Sequence, residues 1–202
     1  MIVAREWVNA GLPPTTMAVN VSAREFREEN FVDGLFNILN QTGLDPACLE
    51  LELTESVLMK RADLAASILK LLRDGGVKVA IDDFGTGYSS LSYLQKFPVD
   101  ALKIDQSFIR QISTIGDDTA IVTAVIGMAR SLGLRVVAEG VESIGELTFL
   151  GQHKCDEAQG YYFSPPVAAE QFAHMLASSA TNSTKWRFPR RSNYVRHAVS
   201  AW

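Results

Sequence analysis

Cysteine and histidine are scarce in this sequence, which has two cysteines and three histidines among 202 residues. Neither residue type clusters near the acidic motifs described below, which argues against a zinc site, because zinc needs several Cys or His ligands close together. Cys48 and Cys155 both adjoin predicted strands. We therefore expect two buried, reduced thiols in a protein of cytoplasmic localisation, rather than a disulfide-linked scaffold.

Long apolar runs are also missing, although 47% of the residues are hydrophobic. A membrane-spanning helix needs about 18 or more consecutive apolar residues, and the sequence contains no such segment. The opening segment MIVAREWVNAG carries Arg5 and Glu6 among its apolar residues, unlike the layout of a signal peptide. The hydrophobic content is sufficient for one well-buried core.

Basic residues are few outside the end of the chain. Residues 181–202 hold five Lys or Arg and no acid, whereas the 14 basic and 23 acidic residues before them give a net charge of −9. A protein that binds duplex nucleic acid is expected to present a broad basic face, so we expect no such partner. An anionic substrate would require metal cations to reverse the sign of its binding site.

Short apolar runs alternate with amphipathic stretches along the chain, and this pattern predicts six βα units. The predicted strands are MAVNV (17–21), LELEL (49–53), VKVAID (77–82), DALKID (100–105), RVVAEG (135–140) and a weak run around 155–159. The helices predicted between them include 57–73 and 117–132. The sequence thus predicts an α/β barrel domain over 1–178, followed by a polar, basic tail over 179–202 without packed structure.

Polar residues recur at the ends of the predicted strands, about one βα unit apart. They are Asn20, Glu52, Asp82, Asp83, Lys103, Glu139 and Gln159. Because the carboxyl ends of the strands of a parallel barrel share one mouth, we expect these side chains to converge there. Four carboxylates, two amides and one ammonium at one mouth favour a hydrolase that uses divalent metal ions.

Each of these residues also has an alternative structural role. Asp82 and Asp83 place two adjacent carboxylates after an apolar strand, where repulsion requires a compensating cation or donor, although either one alone could cap a helix. Lys103 could reach solvent or pair with Asp105. Asn20 alone is typical of a turn or cap. It is the shared spacing of the set that favours the functional interpretation.

The motifs now described resemble those of the EAL family. They are NVSAREF, ELTES, DDFGTGYSSL, LKID, VAEGVE and QGYYFSPP, in the family's order over residues 5–176. The resemblance implies a TIM-like (βα)8 barrel that hydrolyses the bacterial second messenger cyclic di-GMP to linear pGpG. The resemblance is also compatible with an upstream sensory or GGDEF domain in the full-length protein.

The resemblance further implies a role for each motif residue. The ligands of two Mg²⁺ or Mn²⁺ ions would be Asn20, Glu52, Asp82, Asp83 and Glu139. The catalytic set would be Lys103, which orients the attacking group, Glu139, and Gln159, which holds a water. Supporting carboxylates would be Glu55, Asp105 and Glu142, with a helix N-terminal acid as the alternative role of Glu55. The loop that shapes substrate binding and homodimer contacts would be Phe84, Gly85, Thr86, Gly87 and Tyr88.

The sequence departs from the family pattern at its start. The Glu-Ala-Leu segment, with its metal ligand, and the phosphate-binding basic residue after it would precede Met1. We therefore expect the first barrel strands to be absent from this chain, which would leave unpaired sheet edges and little turnover.

Two other functions compete with hydrolysis. An inactive EAL module would act as a cyclic di-GMP receptor or a protein-interaction domain, but such modules often lose metal ligands that this sequence retains. An unrelated barrel could use Lys103 as a base in proton abstraction, although the double aspartate and the glycine loop disfavour it. Whether this chain by itself is an active enzyme stays open at the level of sequence.

Overall fold

The structure is a computed structural model that describes residues 1–86, 91–112 and 119–181. The strands are β1 Met17–Asn20, β2 Leu49–Thr54, β3 Lys78–Phe84, β4 Ala101–Ile104, β5 Arg135–Ala138 and β6 Glu157–Ala158. The α-helices are α1 Ile2–Asn9, α2 Phe31–Thr42, α3 Glu55–Met59, α4 Ala62–Asp74, α5 Leu91–Leu94, α6 Gln106–Gln111, α7 Thr119–Ser131, α8 Ile144–Gln152 and α9 Ala169–Thr181.

All six strands run parallel in one sheet, and their spatial order β1-β2-β3-β4-β5-β6 follows the chain. Each strand is connected to the next through at least one helix, as parallel neighbours require. Sequential order in a singly wound parallel sheet is the arrangement of a βα barrel. The six predicted βα units are therefore confirmed.

The sheet is buried on both faces, and β2 shows how its sequence achieves this. Side chains alternate between faces along a strand, so the leucines and glutamates of LELELT point in opposite directions. Leu49, Leu51 and Leu53 belong to the main hydrophobic core. Glu50 and Glu52 are also buried, on the concave face of the sheet. The barrel interior is therefore charged, while the apolar core lies between the sheet and its helices.

The structure corrects one predicted helix and shifts one predicted boundary. The segment predicted as a single helix over 57–73 forms α3 and α4, because Arg61 adopts a non-helical backbone conformation (φ −144°, ψ 69°) between them. At the other end of the chain, α9 continues through Thr181, three residues into the predicted tail. Residues 182–202 lie outside the described ranges. None of the helices in those ranges combines the length and hydropathy needed to span a bilayer.

The two cysteines differ in accessibility, and this predicts a difference in reactivity. Cys155 is 4% exposed, and burial raises the pKa of its thiol to about 12. Cys48 is only partly buried. Because the thiolate is the reactive species, we expect iodoacetamide to alkylate Cys48 at least about tenfold faster than Cys155 between pH 7 and 9.

Peptide mass spectrometry of the native protein over a time course measures both alkylation rates. The same reaction in 8 M urea is the control, because unfolding removes the difference in burial, and there the two rates should converge. Equal rates in the native protein would contradict the buried position of Cys155.

Candidate functional site

Lys103 is the centre of a buried charge cluster on the concave face of the sheet. Its ammonium lies 2.8 Å from Glu52 Oε2, 3.0 Å from Asp82 Oδ1 and 2.6 Å from Glu139 Oε1. These carboxylates come from β2, from β3 and from the residue after β5, and Lys103 itself lies on β4. Lys103 is only 3% exposed. Four successive strands thus bring their polar side chains to one point.

The electrostatics of the cluster favour a cation beyond Lys103. Burial by itself lowers the pKa of Lys103, but the three surrounding carboxylates outweigh this effect and raise the pKa above its ordinary value. Burial raises the pKa of Glu139 to about 7, because it outweighs the opposing effect of the Lys103 ammonium. Burial likewise raises the pKa of Glu52. One ammonium therefore does not fully compensate the buried carboxylates.

Asp83 joins the cluster through an irregularity in β3. Adjacent residues of a regular strand point to opposite faces, so Asp82 and Asp83 would normally diverge. The register of β3 shifts between Ile81 and Phe84, and Asp83 adopts a left-handed conformation with φ 52°, which is uncommon for a residue with a side chain. As a result, carboxylate oxygens of Asp82, Asp83 and Glu139 all lie within 4.8 Å of one another.

Gln159 extends the cluster toward β6. Its amide Nε2 donates a hydrogen bond of 2.6 Å to Glu139 Oε1, the oxygen that also faces Lys103. The backbone of the segment after β6 is bonded to the segment after β5, since Val141 N donates to Gln159 O and Tyr162 N donates to Val141 O. These bonds hold the Glu139 and Gln159 side chains against each other.

Gly160 allows this close contact between the two segments. A Cβ at this position would lie 2.3 Å from both the backbone N and O of Val141, and Gly160 has φ +153°. Gly160→Ala must therefore displace backbone, and we expect it to destabilise the fold by about 1–3 kcal/mol while weakening the contact between Gln159 and Glu139. Urea unfolding followed by circular dichroism measures the change.

Gly127→Ala is the matched control for that substitution. Gly127 lies within α7, and a Cβ there would meet no heavy atom within 4 Å. The same chemical change should stabilise the protein by about 0.5–1 kcal/mol, because alanine is the better helix former. Equal effects of the two substitutions would show that the contact at Gly160 is less close than described.

The remaining predicted residues lie around the cluster in different settings. Asn20 ends β1 in register with Glu52, and its side chain is exposed. Glu55 is buried as the first residue of α3, a position compatible with the predicted interaction with the helix dipole. Asp105 caps α6 by accepting from Ser107 N at 2.9 Å. The pKa of Asp83 is raised above its ordinary value, first by burial, then by the charge of Asp82 and then by the charge of Asp105.

Glu142 lies outside the carboxylate cluster. It is exposed and faces Arg110 at 3.4 Å. Its backbone N–H donates to Glu146 Oε2 at 2.7 Å, and Glu146 also forms a capping box with Ser143 at the start of α8. The hydrogen bond to Glu146 therefore fixes the backbone of Glu142. The side chain of Glu142 lines a cavity that lies beside the carboxylate cluster.

The predicted loop after Asp83 is described only in part. Phe84 is buried at the end of β3, Gly85 has φ +98°, and the Thr86 hydroxyl donates to Asp83 O at 2.8 Å. The predicted loop residues Gly87 and Tyr88 lie outside the described ranges. The hydrogen bond from Thr86 stabilises the turn that directs Asp83 into the cluster.

A cavity of about 350 Å³ opens beside the cluster. Glu139 and Gln159 form its inner wall, and Tyr161, Phe163 and Pro165 contribute apolar surface. Tyr161 is 67% exposed. A polar end next to an apolar wall suits a ligand that carries both a charged group and a flat aromatic group.

The donor set fits hard divalent cations. It consists of carboxylate oxygens, the ligand type preferred by Mg²⁺ and Mn²⁺. Asp82 Oδ1 is buried and makes no hydrogen bond of good geometry, although it lies near the Lys103 ammonium. A buried oxygen of this kind can accept a cation without losing an existing hydrogen bond. Asp82, Asp83 and Glu139 could therefore share an ion.

A second charged cluster, which the sequence reasoning missed, lies toward the N-terminal ends of the strands. Arg135 Nη1 lies 2.9 Å from Glu157 Oε2, and Nη2 lies 2.5 Å from Glu50 Oε2. The signal for it was present in LELELT, since Glu50 must share a strand face with Glu52. Arg135 and Glu157 gave no comparable signal, because each begins its strand like an ordinary boundary residue.

Comparison with known proteins gives one family. A family model described as the EAL domain matches residues 3–166. The chain is 44% identical over 176 residues to the bifunctional diguanylate cyclase/cyclic di-GMP phosphodiesterase MucR of Pseudomonas aeruginosa. That alignment covers 87% of this chain and 25% of the relative, so the chain spans about a quarter of the relative's length.

Solved structures show the same similarity. The MucR phosphodiesterase in complex with c-di-GMP matches with a TM-score of 0.82 at 43% identity, over 85% of this chain and 69% of that one. The EAL domain of Mycobacterium smegmatis DcpA matches with a TM-score of 0.83 at 38% identity, over 88% and 80%. A manganese/cy-diGMP complex of Klebsiella pneumoniae BlrP1 matches with a TM-score of 0.71 at 34% identity, over 80% and 40%.

Proposed function

This chain belongs to the EAL domain family, as its motifs predicted, and on that premise we propose that its barrel mouth hydrolyses cyclic di-GMP with the help of two divalent cations. The observation that carries the proposal is the convergence of Glu52, Asp82 and Glu139 on Lys103. Names of relatives point to the same substrate, since MucR is called a cyclic di-GMP phosphodiesterase and has been solved with c-di-GMP.

The cations would be held by Asp82, Asp83 and Glu139, with Glu52 and Asn20 contributing from the neighbouring strands. The manganese complex of BlrP1 and the oxygen-only donor set support Mg²⁺ or Mn²⁺. When bound, two such ions would supply an activated water and neutralise charge on the phosphate. The reaction joins water to one phosphorus, breaks its P–O3′ bond and leaves linear pGpG.

Lys103 acts in this scheme as a fixed positive charge. Because its pKa is raised above the ordinary value, it stays protonated and can donate a hydrogen bond to a phosphate oxygen or to the attacking water. A protonated ammonium cannot accept a proton, which argues against the alternative in which Lys103 is the base of a proton abstraction. Gln159 orients Glu139 through their 2.6 Å hydrogen bond.

The cavity beside the cluster would take one guanine of the substrate. Its apolar wall, which includes Tyr161 and Pro165, offers a flat surface to the base, and Glu139 would hold a cation at the end of the cavity where the adjoining phosphate lies. This arrangement separates the two tasks of the site, because the base is bound by apolar contact and the phosphate by charge.

Incubation of the protein with cyclic di-GMP and Mn²⁺ or Mg²⁺, followed by chromatographic detection of pGpG, tests the proposal. Product that forms only with a divalent cation and disappears with EDTA would support it. Calorimetric binding of cyclic di-GMP without metal and without product would support the competing receptor function instead. If the protein neither binds cyclic di-GMP nor forms pGpG, both the phosphodiesterase function and the receptor function are contradicted.

A further inference from the structure

Arg135 joins β5 both to its neighbour β6 and to β2, which is not its neighbour. Arg135 lies on β5, Glu157 on β6 and Glu50 on β2, three strands away from β5. In a flat sheet β2 and β5 would stand about 14 Å apart, because neighbouring strands are separated by about 4.8 Å. The guanidinium nonetheless lies 2.5 Å from Glu50 and 2.9 Å from Glu157. Arg135 therefore bridges the opposing walls of a curled sheet.

The same two walls carry the proposed metal site. Glu50 and Glu52 lie on one face of β2, two residues apart. Arg135 begins β5, and Glu139 follows the end of that strand. The Arg135 bridge thus connects β2 and β5 near their N-terminal ends, and the Lys103 cluster connects them near their C-terminal ends. A change in the spacing of the two strands at Arg135 would therefore be passed along them to Glu52 and Glu139.

We propose that Arg135 is a positioning residue, whose bridge between Glu50 and Glu157 sets the separation of Glu52 and Glu139 and thereby the affinity of the mouth for divalent cations. This inference rests on the proposed function, because it assigns Arg135 a role in that same site. Among the described residues Arg135 forms ion pairs with Glu50 and Glu157, so its effect on the Lys103 cluster is transmitted through the strands.

The shape of the arginine side chain suits this role. Its two terminal nitrogens form separate bonds to carboxylates on different strands, Nη1 to Glu157 and Nη2 to Glu50. A lysine carries its charge on one nitrogen and lacks this planar fork. Burial by itself lowers the pKa of Arg135, but the charges of Glu50 and Glu157 outweigh this effect and raise it, so the bridge stays ionic.

Two variants and one control test the inference. Arg135→Lys keeps the charge and removes the fork. The triple variant Arg135→Met, Glu50→Gln, Glu157→Gln removes the ionic bridge without leaving an unpaired buried charge. Arg73→Lys makes the same exchange at an exposed position of α4. Titration with Mn²⁺, followed by electron paramagnetic resonance of the free ion, measures affinity, and circular dichroism measures folding.

We expect both Arg135 variants to fold and to bind Mn²⁺ about tenfold more weakly than the wild type, with Arg73→Lys unchanged. Folded variants with wild-type affinity would overturn the positioning role and leave the proposed function intact. Failure of both variants to fold would also overturn it, since the cluster would then serve stability. A wild-type protein that binds no Mn²⁺ would overturn the proposed function, and this role with it.

Discussion

Replacing Lys103 with methionine is expected to lower the free energy of unfolding in EDTA by about 3–5 kcal/mol. The substitution removes the ammonium that lies within 3.0 Å of three carboxylates from different strands. Those carboxylates stay buried, and their mutual repulsion is no longer compensated. The cost exceeds that of an ordinary surface ion pair because water cannot screen charges at this depth.

Divalent cations should reverse part of this loss. If the cluster binds Mn²⁺, the ion supplies the positive charge that Lys103→Met removes, and the midpoint of urea unfolding should rise more in the variant than in the wild type. Unfolding curves with EDTA and with Mn²⁺, both followed by circular dichroism, measure this difference. The test is independent of turnover.

Lys70→Met is the matched control. Lys70 pairs with Asp74 at 2.6 Å on α4, where their side chains are 71% and 58% exposed. An exposed pair contributes at most about 1 kcal/mol, so this variant should stay close to the wild type. A Lys103→Met variant as stable in EDTA as Lys70→Met would show that the buried ion pairs do not form in solution.

If the proposed function is right, replacing Asp82 with asparagine is expected to reduce hydrolysis of cyclic di-GMP by about three orders of magnitude. Asp82 contacts Lys103 and shares the group of close oxygens with Asp83 and Glu139. Asparagine preserves the shape and removes the negative charge. Charge stabilisation by bound metal is worth several kcal/mol, and each 1.36 kcal/mol corresponds to about a tenfold change in rate.

The fold should survive this substitution, so the effect can be attributed to the site. Asp82→Asn removes one charge from a cluster with excess negative charge, and the circular dichroism spectrum should not change. Asp74→Asn makes the same exchange at an exposed position and should leave turnover unaffected. Turnover of Asp82→Asn within tenfold of the wild type, measured by formation of pGpG at saturating Mn²⁺, would place the reaction centre elsewhere.

Titration with Mn²⁺ distinguishes the two ways in which Asp82→Asn could act. Weaker binding of the ion, together with lost turnover, assigns Asp82 to the cation. Unchanged binding with lost turnover assigns it to the alignment of Lys103, which Asp82 contacts at 3.0 Å. Unchanged binding and unchanged turnover contradict both assignments.

Alternation of residue types determined much of the fold from the sequence. The six apolar runs predicted six strands, and all six form parallel neighbours in chain order, because apolar runs of this length followed by amphipathic stretches have few other stable arrangements. The polar residues near the ends of these runs predicted a convergence of polar side chains, and Glu52, Asp82 and Glu139 do meet at Lys103. The prediction of one helix over 57–73 was wrong. The apolar period continues through Arg61, but the backbone of Arg61 is not helical, and the segment forms α3 and α4.

Only the tertiary structure decided which side chains meet. Asp82 and Asp83 are adjacent in the sequence, and in a regular strand their side chains would point to opposite faces of the sheet. They reach the same cluster because the register of β3 shifts locally and Asp83 has a left-handed backbone conformation. Arg135 is separated from Glu50 by 85 positions, and they meet because the sheet curls. A sequence pattern shows how side chains alternate along one strand, whereas the packing of all the strands and helices sets the distances between strands.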